Sequence, residues 1–207
     1  MRGRFKKWAA PFLAEHSEIV MSEINQDDPF WKAPLFLEIG AGKGDFGLQL
    51  SLANPSVHLL CLERDISIAG TFAKKAVNEG RDNLRIIASD FDNVYEPLKG
   101  LKFERIYLNF SDPWPKKKHE KRRFTVLARL NHMSDLLSDQ GEIRIKTDNN
   151  GLYAFTLEQI ALGQFEIVKE QDHYEKLDED DFMSEYERNF REQGKTIHRV
   201  IIRKKVN

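Results

Sequence analysis

From residue 34 onward the apolar positions fall into two alternating patterns. Short continuous runs read as buried strands: "LFLEI" (35–39), "VHLLCLE" (57–63), "LRIIASD" (84–90), "RIYLNF" (105–110), "GEIRIKT" (141–147), "FEIVKE" (165–170) and "TIHRVIIRK" (196–204). Between them apolar residues recur every three or four positions, which predicts helices. These cover 45–53, 66–80 (with Gly80 as the cap), 121–138 (through Phe124, Leu127, Leu130, Met133 and Leu137) and 149–162. Such alternation predicts an α/β fold with a seven-stranded, mostly parallel sheet covered by helices. The last two strands are separated by a loop and one short helix, so the final strand is expected to enter antiparallel.

Composition narrows this picture. The 207 residues are 41% hydrophobic and 31% charged, which suits one soluble α/β domain. A formal net charge of −1 argues against a wholly basic protein, so an anionic partner must meet a local patch. The single cysteine, Cys61, lies in an apolar run and reads as a buried structural thiol in a reducing compartment. No apolar stretch approaches the roughly 18 residues of a membrane span and no signal-type core follows the basic start, so a cytoplasmic location is expected. Residues 1–33 form a basic lead-in. There Arg2, Arg4, Lys6 and Lys7 either touch phosphate or belong to a frayed terminus.

The first strand runs into "GAGKG", with Gly40, Gly42 and Gly44 ahead of a helix. Glycines there permit a sharp turn and close backbone approach to NAD, FAD or S-adenosylmethionine. Three carboxylates discriminate. Glu63, after the second strand, suits a ribose diol, and Asp90, after the third, suits the adenine amino group. Glu38 lies against the turn, where a carboxylate is awkward beside a pyrophosphate but favourable beside the cationic amino group of a methionine moiety. S-adenosylmethionine is therefore the expected cofactor.

"NFSDPWPKKKHEKRR" (109–123) brings Asn109 and Asp112 to the end of the fourth strand. Pro113 and Pro115 restrict the loop on either side of Trp114, which either anchors the loop or stacks on a base. Lys116, Lys117, Lys118, Lys121, Arg122 and Arg123 follow, a strip suited to phosphates. The six histidines show no ligand spacing, and the four adjacent acids of "DEDD" cannot converge on one ion, so no metal is expected. The acidic stretch 171–187 reads either as a solvated loop or as a mobile segment that folds over a base.

"LNFSDPWPKKKHEKRR" resembles the signature of the tRNA (guanine-N7)-methyltransferases of the bacterial TrmB type. "EIGAGKG", "KTDNNGLY" and "SEYERNF" match that family's other blocks in the same order, so the resemblance spans about residues 35–203. It implies a single Rossmann-like S-adenosylmethionine-dependent methyltransferase domain over 34–207. It also implies methyl transfer to N7 of a guanine in the tRNA variable loop, at position 46 in that family. By this resemblance Glu38, Gly40, Gly42, Gly44, Glu63, Asp90 and Asp112 contact the cofactor or line the reacting centre. Lys116, Asp148, Ser184, Glu185, Tyr186 and Glu187 contact the substrate, while Lys118, His119, Glu120, Lys121, Arg122 and Arg123 touch RNA. Ser184 stands where the family usually has threonine, keeping the hydroxyl but losing the methyl.

Guanine N7 bears an in-plane lone pair and no proton, so no general base is obligatory. Alignment and stabilisation of the charge that reaches the purine are what the site must supply, and Asp112 is the expected catalytic group. Carboxylates at Asp148 and Glu187 suit the N1–H and N2–H donors of guanine, which adenine lacks as a pair. The partner implied is tRNA, with no membrane or DNA, and the protein is a monomer or homodimer. An NAD-dependent oxidoreductase accounts for the glycine turn and Glu63 but not for the cationic strip. A non-enzymatic RNA-binding protein accounts for the strip but not for the carboxylates.

Overall fold

A computed structural model describes residues 5–175 and 177–205. Arg2 and Arg4 lie outside the described residues. The chain runs through α1 (Ala9–Glu15), a 3₁₀ turn (Pro29–Lys32), β1 (Leu35–Ile39), α2 (Asp45–Ala53), β2 (His58–Leu62), α3 (Ile66–Asn78), β3 (Leu84–Ile87) and α4 (Phe91–Leu98). It continues through β4 (Phe103–Asn109), a second 3₁₀ turn (Lys117–Arg122), α5 (Leu127–Asp135), β5 (Leu137–Thr147), α6 (Asn150–Leu162), β6 (Phe165–Gln171), α7 (Glu185–Glu192) and β7 (His198–Lys204). The strands form one sheet in the order β3-β2-β1-β4-β5-β7-β6. Of the pairings described, β7 is antiparallel to both β5 and β6, as the sequence predicts, while β1–β2, β2–β3 and β4–β5 are parallel. Among the described residues no helix is long and apolar enough to cross a membrane.

The chain packs as two compact units, Met1–Leu101 with Phe182–Glu185, and Lys102–Asp181 with Tyr186–Asn207. In the first, β1 and β2 are fully apolar on both faces except for Glu38 and the half-buried His58, so the parallel strands sit deep in the core. The lead-in from residue 5 is not frayed. Lys6 bonds Thr71 through its ammonium (2.7 Å) and Ser67 through its backbone N–H (2.9 Å). Ala9 approaches Gly70 so closely that a Cβ there would lie 2.6 Å from Ala9 Cβ. Ile19 and Met21 exchange backbone hydrogen bonds with Ile86, extending the pairing of β3.

The second unit corrects the helix read over 121–138. Residues 117–122 form the 3₁₀ turn, α5 starts only at Leu127, and Leu137 already belongs to β5. Arg123 and Val126 are extended, which interrupts the helical period between them. A sequence reading from β3 to β4 also passes over α4, although Phe91, Val94, Tyr95 and Leu98 are buried at helical spacing. Pro97 in its last turn disguises that pattern.

Candidate active site

In the first unit the carboxyl end of β1 runs into the glycine turn. Gly40, Gly42 and Gly44 all have positive φ (75°, 59° and 85°), a region closed to most side chains. Gly44 also has no room, because a Cβ there would fall 2.0 Å from the Phe72 ring. At Gly40 a Cβ would meet nothing within 4 Å, so its backbone faces open space. Glu63, just past β2, accepts from the Gly42 N–H (3.0 Å) and the Asp65 N–H (2.8 Å). The turn and the acid thus hold each other. Burial pushes the Glu63 carboxyl above its usual range, despite those two donors.

Glu38 is only 2% exposed, and the Cys61 thiol donates to its Oε2 at 3.8 Å. Cys61 is fully buried, and burial together with the Glu38 charge drives its pKa upward, so it stays a protonated structural thiol. Gly47 leaves space beside Glu38, since a Cβ there would stand 2.9 Å from Oε2. Asp90 follows β3 by three residues and begins α4 without capping it through its side chain. Its Oδ1 is buried with no hydrogen-bond partner among the described residues, and Arg64 stands 3.8 Å from Oδ2. A buried acceptor in that condition favours a ligand donor. Glu185 forms an ion pair with Lys43 of the glycine turn at 2.9 Å, and Met183 accepts from the Gln49 amide at 2.9 Å. The segment holding Ser184, itself half-buried, is thereby docked on the turn and on α2.

In the second unit β4 and β5 end side by side, with Asn109 opposite Lys146. The loop beyond β4 is strained at two non-glycine positions, Phe110 (φ 53°) and Trp114 (φ 39°). Asp112, between them, is exposed. Trp114 is half-buried rather than in the core. His119 meets its ring edge-on at 5.6 Å and the Arg122 guanidinium lies 5.0 Å from its centroid. Lys116, Lys117, Lys118, Lys121 and Arg122 are exposed, with His119 and Glu120 half-buried.

Arg123 departs from the strip read in the sequence. It is buried and donates to the carbonyls of Pro113 (3.1 Å) and Trp114 (3.2 Å), with its guanidinium 4.3 Å from the Phe155 ring. It ties down the strained loop. Asp148, just past β5, is half-buried and paired with Lys195 at 2.8 Å. Tyr186 is exposed. Glu187 is fully buried, and its oxygens are engaged by Lys146 (2.7 Å) and Arg191 (2.7 Å). Burial, rather than want of lone pairs, keeps a base from it in this arrangement.

The acidic stretch keeps Asp172, Glu175, Glu179 and Asp180 exposed, but ion pairs tie it down. Asp178 pairs with Lys169 (2.8 Å) and Arg199, and Asp180 with Arg144 (2.8 Å) and Arg105 (2.9 Å). Asp181 takes Lys146 (3.1 Å) and the Tyr174 hydroxyl (2.7 Å). Sequence reasoning missed Lys146 and Lys195, and it read Arg123 as an RNA contact rather than a buried tie for the loop. For Lys146 the available signal was a cation next to the end of a strand run, and for Lys195 there was none.

A strand that feeds a triple-glycine turn, with carboxylates following the next two parallel strands, defines a Rossmann-like cofactor edge of the kind methyltransferases use. Solved structures share the fold: an antibiotic-related methyltransferase (TM-score 0.66, 14% identity, 87% of this chain and 95% of that one) and a 30S ribosomal A1408 methyltransferase from an uncultured bacterium (TM-score 0.59, 12% identity, 90% and 98%). Residues 32–200 match the family model described as "Putative methyltransferase". Curated proteins named tRNA (guanine-N(7)-)-methyltransferase are similar over almost the whole chain. That of Limosilactobacillus reuteri is 37% identical, covering 97% of this chain and 98% of its own. Those of Staphylococcus epidermidis and Staphylococcus aureus are 37% and 36% identical, each covering 97% of this chain and 96% of their own. The chain belongs to the tRNA (guanine-N(7)-)-methyltransferase family.

Proposed function

We propose that this protein methylates N7 of a guanine in the variable loop of tRNA, with S-adenosylmethionine as donor. The observation that carries the reading is the loop after β4. Two left-handed non-glycine residues and a buried arginine hold it, and it exposes Asp112 at the head of a run of exposed lysines and arginines. Strain of this kind persists where surrounding contacts over-determine it, and it clusters at working sites. The names of the relatives supply the substrate.

The residues of the first unit fit the donor. Gly40 leaves room for close approach, Asp90 Oδ1 is a buried acceptor suited to an adenine amino group, and Glu63 retains lone pairs for a ribose diol. Glu38 supplies negative charge beneath the turn for the methionine amino group. When bound, the cofactor supplies an electrophilic methyl on a sulfonium. Methyl transfer from it to N7 would leave positive charge on the purine. Asp112 stabilises that charge in the transition state. Asp148 accepts from the N1–H and N2–H edge, and Lys116 and the exposed strip bind phosphates. Glu187 orders this region through Lys146 and Arg191, and the groups that bury it must move before it meets the base. Ser184, Glu185 and Tyr186 complete the substrate contacts.

Incubation of the purified chain with methyl-labelled S-adenosylmethionine and unmodified tRNA, followed by nucleoside analysis, tests the reading. Label is expected in 7-methylguanosine from the variable loop. Label in another nucleoside, or none, overturns it.

A further inference from the structure

Lys195 belongs to none of the motif blocks that point to the site, yet it bonds one of the acids in it. Its ammonium donates to Asp148 Oδ2 at 2.8 Å. Its position is fixed by local structure. Gly194 is left-handed (φ 70°), the Gly194 N–H bonds the Arg191 carbonyl (2.9 Å), and the Lys195 N–H bonds the Phe190 carbonyl (3.0 Å). That pair of bonds closes the end of α7 in a Schellman arrangement. The Lys195 ammonium also lies 4.0 Å from the centroid of the Phe190 ring, which stands 5.6 Å from Phe110 in the strained loop after β4. The lysine is therefore held from two sides, by the helix end beneath it and by the aromatic ring beside it.

A structural role alone is a poor account of this pair. The side chains of Lys195 and Asp148 are 43% and 20% exposed, and ion pairs so open to water add little to stability. A carboxylate meant to read two neighbouring N–H donors, however, must not rotate. An ammonium on one oxygen fixes the plane of the group, while the lone pairs that remain stay available to the base.

We propose that Lys195 is a specificity-determining positioning residue, which holds the Asp148 carboxylate in the orientation that recognises the N1–H and N2–H edge of the target guanine. The proposal rests on the reading of Asp148 as the acid that contacts the base. Lys195 itself need not touch the RNA.

The test uses tRNA transcripts carrying guanosine or inosine at the target position. Inosine keeps N7 and N1–H but lacks the N2 amino group. Lys195→Ala is expected to lower kcat/KM on guanosine about tenfold and on inosine much less, so that the preference for guanosine shrinks. Lys195→Arg, which keeps a donor in place, should restore most of that preference. In an Asp148→Asn background Lys195→Ala should add no further loss. Equal losses on both substrates, no loss at all, or full additivity with Asp148→Asn would overturn the proposal. If Asp148→Asn itself leaves rate and preference unchanged, the underlying reading of Asp148 fails. If Asp148→Asn loses the preference while Lys195→Ala keeps it, only the role of Lys195 fails.

Discussion

Asp112 shows how the setting of a single side chain depends on its neighbours. Its type and its place after a strand are legible in the sequence. Its exposure depends on Phe110 and Trp114 adopting positive φ, and on Arg123 accepting burial in order to bond two carbonyls. The same arginine reads in the sequence as one more cation in a run, because a one-dimensional pattern does not reveal which members of a charge cluster turn inward. If Asp112 stabilises charge that appears on the purine only as the methyl moves, its removal should affect turnover above all. Asp112→Ala is expected to lower kcat by about 10²–10³-fold, while calorimetry detects a much smaller loss of S-adenosylmethionine affinity. A parallel fall in both would make Asp112 a cofactor-binding residue instead.

At the scale of elements, strands were easier to read than their boundaries. β1 needs no correction because it is buried throughout and ends at a glycine. β5 begins four residues earlier than its apolar run suggests, since Leu137 pairs with Phe103 ahead of a register shift. The acidic segment between β6 and α7 looks solvated in sequence, because its partners, Arg105, Arg144, Lys146, Lys169 and Arg199, lie elsewhere along the chain. Hydrogen bonding to Lys169 holds the Asp178 carboxyl below its usual range. Burial pushes Asp180 and Glu142 upward, but the Arg144 bond and charges on Asp180, and Arg203 with Arg144 on Glu142, more than reverse it. Acids depressed in the folded state stabilise it above their unfolded pKa, and that contribution is lost as pH falls through the folded value. The acidic segment should therefore loosen below about pH 4. Hydrogen exchange at pH 3 and pH 5, corrected for intrinsic rates, measures this: protection within 172–175 and 177–181 should be low at pH 3 and high at pH 5. Equal protection at both pH values would mean that the ion pairs do not hold the segment.

At the scale of the whole molecule, a net charge of −1 leaves no general attraction for a polyanion. If the strip binds RNA as proposed, the salt dependence of association should follow the number of phosphates it neutralises. Replacing Lys117, Lys118 and Arg122 with glutamine is expected to weaken tRNA binding and to flatten the slope of log affinity against log salt by about two to three. An unchanged slope, measured by filter binding from low to moderate salt, would remove the strip from the RNA contact. By itself the sequence determined the alternation of strand and helix, the glycine turn, the antiparallel entry of β7 and the residue types at the strand ends. All of these follow from local periodicity and from the conformations that glycine and proline allow or forbid. Only the tertiary structure decided which polar groups find partners far along the chain. It turned Arg123 inward, buried Glu187 against Lys146, drew the acidic segment onto the sheet and set Lys195 against Asp148. Those choices depend on desolvation and long-range pairing, and neither leaves a periodic trace in the order of residues.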